Sequence, residues 1–204
     1  MTNVCILDYG SGNVKSVFNL VDYLGYNVKI SNSKKDLNWS SHIILPGVGS
    51  FGGSMRKIEE SLSVDFLKEQ IVSKEKQFLG ICVGMQVLAD KGFEFEEING
   101  LGLIEGDVRK LDSGGLPLPH IGWNEIRIEK QIDLLKNISE FPDFYFVHSY
   151  CYNMKNNKYV AASTNYGSDF PSIIQKKNIY GVQFHPEKSQ KTGQLLLKNF
   201  FNIK

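Results

Sequence analysis

Short apolar runs alternate with helical patterns from Met1 to about Ala89, and this alternation constrains the fold more than any other feature. Runs typical of strands lie at residues 3–10, 26–31, 42–47 and 77–81. Apolar residues recur at helical spacing from Val14 to Leu24, with Gly25 as a C-terminal stop, and again from Ser54 to Lys76. Strands that alternate with helices predict an α/β fold with a mostly parallel sheet, whose reactive residues follow the carboxyl ends of the strands.

From Leu101 onward the pattern changes to short strand-like runs separated by Gly, Pro and Asn, which predict an antiparallel, β-rich C-terminal half. Residues 191–204 suit a final amphipathic helix. No repeat or low-complexity linker separates the two halves. We therefore expect residues 1–204 to form a single domain, with a flavodoxin-like central sheet flanked by helices and a β-rich half packed on the same core.

The composition excludes several classes of protein. A formal net charge of +1 gives no indication of a nucleic-acid partner, and no apolar segment approaches the length of a membrane span. The N-terminus lacks the basic and long apolar regions of a signal peptide. Three widely spaced cysteines, Cys5, Cys82 and Cys151, form neither a disulfide framework nor a C-x-x-C metal pair. These features predict a cytoplasmic, reduced protein without a metal site.

Cys82 stands between two glycines, Gly80 and Gly84, at the junction of a predicted strand and a predicted helix. This G-x-C-x-G segment is typical of a nucleophile elbow, in which the glycines permit a tight turn. A helix N-terminus would favour the thiolate, and the amide of Val83 would point to the place where an oxyanion forms. The segment alone leaves a second interpretation open, because free cysteines are often small buried packing residues.

A strand-like run also delivers His185, Pro186 and Glu187. Proline favours an extended residue before it, and residues two apart in an extended segment lie on the same side. Glu187 is therefore expected to reach the imidazole of His185 and orient it as a general base for Cys82. The alternative is a structural histidine near a turn beside a surface glutamate.

The glycine-rich segment LPGVGSFGGS, residues 45–54, follows another predicted strand. Closely spaced glycines bring backbone amides near a ligand, which suits a phosphate site or half of an oxyanion hole. Neither nucleotide-binding glycine motif is present, so the phosphate interpretation is weak. The amide of Val48 or Gly49 would complement that of Val83, unless the segment is a plain turn.

Together, PGVGSFGGSM, GICVGMQVL and YGVQFHPEKS resemble the class I, or triad, glutamine amidotransferases. The stretches DYGSGNVKSV, GLGLIEGDVRKL, LPLPHIGWN and YFVHSY are similar to those of one group within them, the glutaminase subunits of imidazole glycerol phosphate synthase. The resemblance spans nearly the whole chain. It implies hydrolysis of L-glutamine to L-glutamate and ammonia through a thioester on Cys82, with Val48 and Val83 as oxyanion amides and without a cofactor.

The resemblance also implies a set of substrate-binding residues: Gly49, Gln86, Glu94, His148, Ser149 and Tyr150. Glu94 is expected to face the α-amino group of glutamine, although Glu96 and Glu97 are rivals for that role. For His148, a purely structural histidine is an equal alternative to a direct substrate contact.

Family members deliver ammonia to a (β/α)8-barrel synthase, which forms imidazole glycerol phosphate and AICAR in histidine biosynthesis. By resemblance, the barrel-facing residues are Asn13, Trp123, Asn124 and Lys188; Trp123 could instead be a core aromatic. The family's oxyanion amide, here Val48, is misoriented until the partner holds its ligand. Three alternatives remain at this point: a paralogue that serves a surface-sugar pathway, a non-catalytic regulator of a partner, and a cysteine peptidase on the same fold.

Overall fold

The computed structural model describes residues 2–204 and divides the chain, as predicted, into an α/β first part and a β-rich second part. The strands of the first part are β1 (Asn3–Ile6), β2 (Asn27–Ile30), β3 (His42–Gly47), β4 (Gln77–Cys82), β5 (Lys91–Gly92) and β6 (Ile98–Asn99). Those of the second part are β7 (Gly106–Lys110), β8 (His120–Glu125), β9 (Arg127–Ile128), β10 (Asp143–His148), β11 (Tyr150–Met154), β12 (Val160–Tyr166), β13 (Ser168–Lys176) and β14 (Ile179–Val182). The helices are α1 (Val14–Tyr23), α2 (Lys34–Trp39), α3 (Phe51–Ser61), α4 (Val64–Lys68), α5 (Val83–Gln86) and α6 (Gln190–Asn202).

The central sheet has eight strands in the order β2-β1-β3-β4-β14-β13-β12-β9. Pairings from β2 to β14 are parallel, and those from β14 to β9 are antiparallel. The predicted combination of a parallel sheet with an antiparallel C-terminal half is therefore confirmed. The two halves are joined more closely than expected, because three antiparallel strands extend the central sheet itself. A two-stranded sheet, β10-β8, and a four-stranded sheet, β11-β7-β5-β6, complete the β structure of the described residues.

The pairing of β14 with β4 places the two halves of the predicted catalytic machinery at one edge. Val182 lies opposite Ile81 in this parallel pair, so both strands end on the same side of the sheet. Strand β3 ends there too, with Gly47 opposite Cys82. The segments that follow the three strands, which hold the glycine-rich loop, Cys82 and His185, are thus brought together by sheet register.

The expected continuous helix from Ser54 to Lys76 is wrong. Helix α3 begins earlier, at Phe51, and ends at Ser61; Leu62 is then extended, with φ −124° and ψ 142°, before α4 begins at Val64. The serines on both sides of Leu62 are weaker helix formers than Ala or Leu, and Leu62 is buried in its extended conformation. A π-helical turn, Glu69–Ser73, follows α4.

The core lies on both faces of the parallel strands, as their almost continuous apolar sequences require. Val4, Ile6, Ile43 and Leu79 are fully buried, and burial of each such side chain contributes about 1.5–3 kcal/mol. Helices α1 and α6 cover the sheet through one apolar stripe each. None of the helices within residues 2–204 has the length and apolar character needed to cross a bilayer.

Candidate active site

Cys82 is held in a sterically disfavoured backbone conformation at the end of β4, with φ 55° and ψ −112°. A Cβ on Gly80 would overlap the backbone of Gly84, and a Cβ on Gly84 would overlap the carbonyl group of Leu45 on β3. The strand, the turn and the following helix are therefore in direct contact, and both flanking positions require glycine. This is the geometry of a nucleophile elbow.

Two details of the elbow limit the effect of the helix N-terminus on the thiol. Helix α5 is a single turn of four residues, Val83–Gln86, so few aligned peptide dipoles act on the thiol. Cys82 is also only 3% exposed, because its side chain lies at the bottom of a cavity and not on an open surface. The environment of the thiol is therefore set mainly by the side chains and backbone around it.

His185 and Glu187 form a buried hydrogen-bonded pair. The Nδ1 atom of His185 lies 2.9 Å from Oε1 of Glu187, and the two side chains are 2% and 1% exposed. Their approach does not come from an extended segment, as the sequence suggested. His185 is extended, but residues 186–188 form a 3-10 turn, closed by the amide of Lys188 donating to the carbonyl of His185 at 3.0 Å. The turn brings the carboxylate back onto the imidazole.

The charge state of His185 results from two opposing effects. Burial would lower its pKa, but interactions with Cys82 and Glu187 outweigh burial and raise the pKa to about 10. Nε2 of His185 is buried and has no hydrogen-bond partner among residues 2–204. The Glu187 carboxylate also accepts a hydrogen bond from Nδ2 of Asn13 at 3.2 Å. The pair is therefore arranged to hold an imidazolium next to the Cys82 thiol.

The three cysteines differ in their surroundings. Cys82 contacts the carbonyl of Val147 and Nε2 of Gln183, each 3.8 Å from its sulfur. Burial raises the pKa of both Cys5 and Cys151 to about 12, and neither lines the cavity. Both therefore stay protonated and unreactive near neutral pH.

A cavity of about 330 Å³ opens above the Cys82 thiol, at the lower end of the range of about 300–1,000 Å³ that is usual for small-molecule sites. Cys82, Val83 and His185 line it, as do Pro119 and Val147, which the sequence did not single out. The predicted substrate-binding residues and the predicted oxyanion residue Val48 also line it: Val48, Gly49, Gln86, Glu94, His148, Ser149 and Tyr150. Their contacts with glutamine remain predictions.

The three candidate glutamates are separated by the structure. Glu94 lines the cavity, and its Oε2 accepts the backbone amide of Phe51 at 2.8 Å. The side chain of Glu96 is 62% exposed and pairs with Arg56, while that of Glu97 is 53% exposed and pairs with Lys91. Glu94 alone of the three is placed to meet a ligand in the cavity.

The glycine-rich loop after β3 packs directly against the elbow. A Cβ on Gly47 would meet the amide nitrogen of Gly84 at 2.6 Å and the Tyr9 hydroxyl at 2.7 Å. Gly49 has φ +98°, which favours glycine. The Val48 carbonyl accepts a hydrogen bond from the Ser11 hydroxyl at 2.6 Å, which ties the loop to the segment after β1.

The predicted partner-facing residues divide into two pairs. Trp123 is 47% exposed and contacts Tyr145 edge to face, and the Lys188 ammonium lies 5.5 Å from the centre of the same Tyr145 ring. Trp123 is therefore a surface residue, and the core alternative is wrong. Asn13 and Asn124 instead direct their amides inward, to Glu187 and to His120 respectively. That this face binds a partner remains a prediction.

Sequence reasoning missed Gln183 and His120. Gln183 lies two residues before His185, and residues two apart in a strand lie on the same face. The side-chain amide of Gln183 contacts the Cys82 thiol. His120 follows Pro119 and is hydrogen-bonded to His148. The spacing from His185 could have indicated Gln183 from the sequence. Nothing similar could have indicated His120, because His148, to which it is hydrogen-bonded, lies 28 residues away in the sequence.

Burial lowers the pKa of His148 to about 3 and that of His120 to about 4. Unfolded histidines titrate near pH 6.5, so only the unfolded chain binds these protons between about pH 6.5 and 4. The stability that these groups contribute is complete above about pH 6.5 and is lost as the pH falls. We expect the urea midpoint to fall as the pH is lowered from about 7 to 4.5. His148 should account for about 2–3 kcal/mol of the accompanying loss in the free energy of unfolding. The same fall in His148→Gln would contradict this.

Residues 2–204 contain no group of three or more His, Cys, Asp or Glu side chains placed to hold a metal ion.

Residues 5–203 match the family described as glutamine amidotransferase class-I. The chain is 41% identical over 201 residues to imidazole glycerol phosphate synthase subunit HisH 1 of Campylobacter jejuni (strain RM1221), covering 98% of this chain and 100% of that protein. It is 43% identical over 202 residues to subunit HisH of Leptospira borgpetersenii, covering 97% and 98%.

Two solved structures share the fold at low sequence identity. The structure of PurLQS from Thermotoga maritima superimposes with a TM-score of 0.78 at 18% identity, covering 98% of both chains. A glutamine amidotransferase from Thermotoga maritima gives a TM-score of 0.68 at 15% identity, covering 98% of this chain and 82% of that one.

Proposed function

The chain belongs to the class I glutamine amidotransferases, and from this premise we propose that it hydrolyses L-glutamine to L-glutamate and ammonia for imidazole glycerol phosphate synthesis. One observation carries the proposal: a cysteine in a strained elbow shares a cavity with His185 of a buried His185–Glu187 pair. A regulator without catalysis would not need to maintain this strain and this buried charge. Residues 1–204 act as one amidotransferase domain, with Cys82, His185 and Glu187 as the catalytic residues and no cofactor.

The first half of the reaction forms a thioester. The Cys82 thiolate attacks the carboxamide carbon of glutamine, and the carbonyl electrons move onto oxygen. The amides of Val83 and Val48, at the ends of neighbouring strands, stabilise this oxyanion. His185, held protonated by Glu187, then gives its proton to the nitrogen; the carbon–nitrogen bond breaks and ammonia leaves.

The second half of the reaction returns the enzyme to its starting state. Neutral His185 takes a proton from water, and the hydroxide attacks the thioester carbon. The same amides hold the second oxyanion, which collapses with loss of the Cys82 thiolate. His185 is again protonated beside the thiolate, and glutamate leaves after its new carboxyl group releases a proton to solvent.

The cavity supports recognition of a zwitterionic amino acid. Glu94 supplies the negative charge for the α-amino group, and Ser149 and Tyr150 lie on the wall where the α-carboxylate is expected. His148 is neutral near pH 7 because burial lowers its pKa, so the carboxylate is met by hydrogen-bond donors and not by a second cation.

Replacing Glu94 by glutamine is expected to raise the KM for glutamine about 10-fold or more, because one charge-assisted hydrogen bond contributes about 1.5–3 kcal/mol. The matched control is Glu96→Gln, since Glu96 is exposed and paired with Arg56. Steady-state kinetics at saturating partner measures both. Equal KM values for the two variants would contradict the assignment of Glu94.

We propose that the ammonia passes to a (β/α)8-barrel synthase subunit, which forms imidazole glycerol phosphate and AICAR in histidine biosynthesis. The surface around Trp123 and Lys188 is its docking face, and Asn13 and Asn124 connect that face to the interior. We place the enzyme in the cytoplasm, where a reducing environment keeps Cys5, Cys82 and Cys151 free.

The test is a glutaminase assay of the purified chain with and without the barrel subunit of the same organism and its nucleotide ligand. We expect glutamate and ammonia to form at a rate that rises when the liganded partner is added. No glutamine hydrolysis, with a partner that still works on added ammonium, would overturn the function. Failure to restore growth of a strain lacking the histidine-pathway glutaminase, despite that activity, would assign the enzyme to another pathway.

A further inference from the structure

A continuous chain of hydrogen bonds connects β8 to the Cys82 thiol. Nδ2 of Asn124 lies 3.2 Å from Nε2 of His120, and Nδ1 of His120 lies 3.0 Å from Nε2 of His148. Nδ1 of His148 lies 3.0 Å from the Tyr150 carbonyl. That carbonyl also accepts Nε2 of Gln86 at 2.8 Å.

The chain then continues from Gln86 to the thiol. Nε2 of Gln86 donates a second hydrogen bond, to Oε1 of Gln183 at 3.1 Å, and Nε2 of Gln183 lies 3.8 Å from the Cys82 sulfur. The Tyr150 carbonyl can only accept, so it fixes the orientation of the Gln86 amide. Gln86 in turn fixes that of Gln183. Both hydrogens of the Gln86 amide are used, which leaves its oxygen available to the cavity.

The direction of the hydrogen bonds between β8 and Tyr150 is set by backbone groups at both ends. Oδ1 of Asn124 accepts the amide of Glu125 at 2.9 Å, and Nδ2 donates to the carbonyl of Asn165 at 3.0 Å, so the Asn124 amide cannot be reversed. His120 must then accept at Nε2 and carry its proton on Nδ1. His148 must accept at Nε2, and its Nδ1–H donates to the Tyr150 carbonyl.

We propose that His120 and Asn124 are positioning residues of the glutamine site, which hold His148 as the neutral Nδ1–H tautomer so that His185 is the only imidazole in the cavity that changes its charge during turnover. The proposal rests on the proposed glutaminase function and deepens it. A protonated His148 would place a second cation close to His185 and would disturb the charge pair with Cys82.

Burial and the hydrogen-bond relay Asn124–His120–His148 together keep His148 neutral, and burial is the larger effect. The titratable groups that act on His148 are His120 from β8 and His185 from the segment after β14. The rings packed against it, Phe146 on β10 and Phe170 on β13, are uncharged. His120 is itself stacked between Phe146 and Tyr166, with ring centroids 5.0 and 4.0 Å away. No carboxylate among the described residues forms an ion pair or hydrogen bond with His148 or His120.

His120→Phe tests the relay, because phenylalanine keeps the stacking and removes the donor to His148. Without that donor, Nε2 of His148 is free to accept a proton, so the pKa of His148 rises from its lowered value while burial continues to oppose the charge. We expect a larger loss of kcat/KM for glutamine in the partner complex than in the wild type as the pH is lowered from about 7.5. The matched control is His42→Phe, a buried histidine at the other end of the sheet that bonds to the carbonyls of Phe200 and Ile203. Its pH profile should follow the wild type.

Asn124→Asp provides a second test if His120→Phe does not fold. A carboxylate at position 124 requires a proton on Nε2 of His120, which breaks the single arrangement of protons in the wild type and favours a positive charge on the His120–His148 pair. The readout is nitrogen-15 NMR of the ring nitrogens, which needs no activity, and the chain has only four histidines to assign.

At about pH 5.5 the wild type should show His120 and His148 neutral with the proton on Nδ1, and Asn124→Asp should show a proton on Nε2 of His120 and a positive charge on the His120–His148 pair. An Nε2–H tautomer or a charged His148 in the wild type, an unchanged His120–His148 pair in Asn124→Asp, or a wild-type pH profile in folded His120→Phe would overturn the relay. These results leave the glutaminase function intact, whereas a wild-type complex that does not hydrolyse glutamine contradicts the function alone.

Discussion

Cys82→Ala is expected to abolish glutamine-dependent turnover by the complex while leaving turnover with added ammonium unchanged. Alanine removes the sulfur atom on which the proposed thioester forms, and loss of a nucleophile in a comparable triad costs about 10⁶-fold in kcat. In the proposed complex the ammonium-dependent reaction takes place on the partner, so it does not need the thiol. Rates with each nitrogen source, measured on the same preparation, separate the two activities.

The matched control for this prediction is Cys151→Ala. Cys151 is a partly buried thiol outside the cavity whose pKa is raised to about 12 by burial, so its removal should leave both rates close to the wild type. Retention of glutamine-dependent turnover in Cys82→Ala would remove the covalent mechanism. Loss of ammonium-dependent turnover would show instead that the variant no longer supports the partner.

Gly84→Ala is expected to have the largest effect on folding. The new methyl group would overlap the Leu45 carbonyl, a backbone group in the middle of the parallel sheet that has no room to move. Overpacking of a core costs about 1–3 kcal/mol and more where rigid backbone is involved, so we expect at least about 3 kcal/mol in the free energy of unfolding. Urea denaturation followed by circular dichroism measures this loss.

Gly53→Ala is the control for a glycine-to-alanine change whose close contact is with a side chain and not with sheet backbone. Gly53 lies in α3, and its Cβ would lie 2.8 Å from the hydroxyl of Ser50, the N-cap residue of the helix, which can rotate away. Its stability should stay within about 1 kcal/mol of the wild type. A Gly84→Ala protein as stable as Gly53→Ala would mean that the elbow and β3 are not packed as described.

The sequence predicted those parts of the site that depend on local chemistry. A Cβ at either glycine beside Cys82 would overlap neighbouring backbone, and the G-x-C-x-G segment by itself is enough to predict this tight turn. His185 and Glu187 are close in sequence, so their contact needs only a short turn. The glycine-rich loop is likewise a local feature. The apolar periodicity of α1 and α6 also identified those helices, since each buries a single stripe.

The features that sequence reasoning could not supply depend on tertiary contacts. The pairing of β14 with β4, which brings His185 to Cys82, joins segments about 100 residues apart. The choice among Glu94, Glu96 and Glu97 depends on which carboxylate reaches the amide of Phe51. The break at Leu62 arises because burial in the extended form competes with helix continuation, and six-residue α2 is too short to show a periodic pattern. The His120–His148 contact has no local signature at all.

The most direct test of Cys82 as the nucleophile of a glutamine site is covalent labelling read by mass spectrometry. The reagent is a glutamine analogue with a chloroketone in place of the carboxamide, applied to the complex with its liganded partner. We expect one label per chain, located on Cys82, prevented by excess L-glutamine and accompanied by loss of glutamine-dependent turnover. Labelling of Cys5 or Cys151 at a comparable rate, or full loss of activity without modification of Cys82, would contradict this assignment.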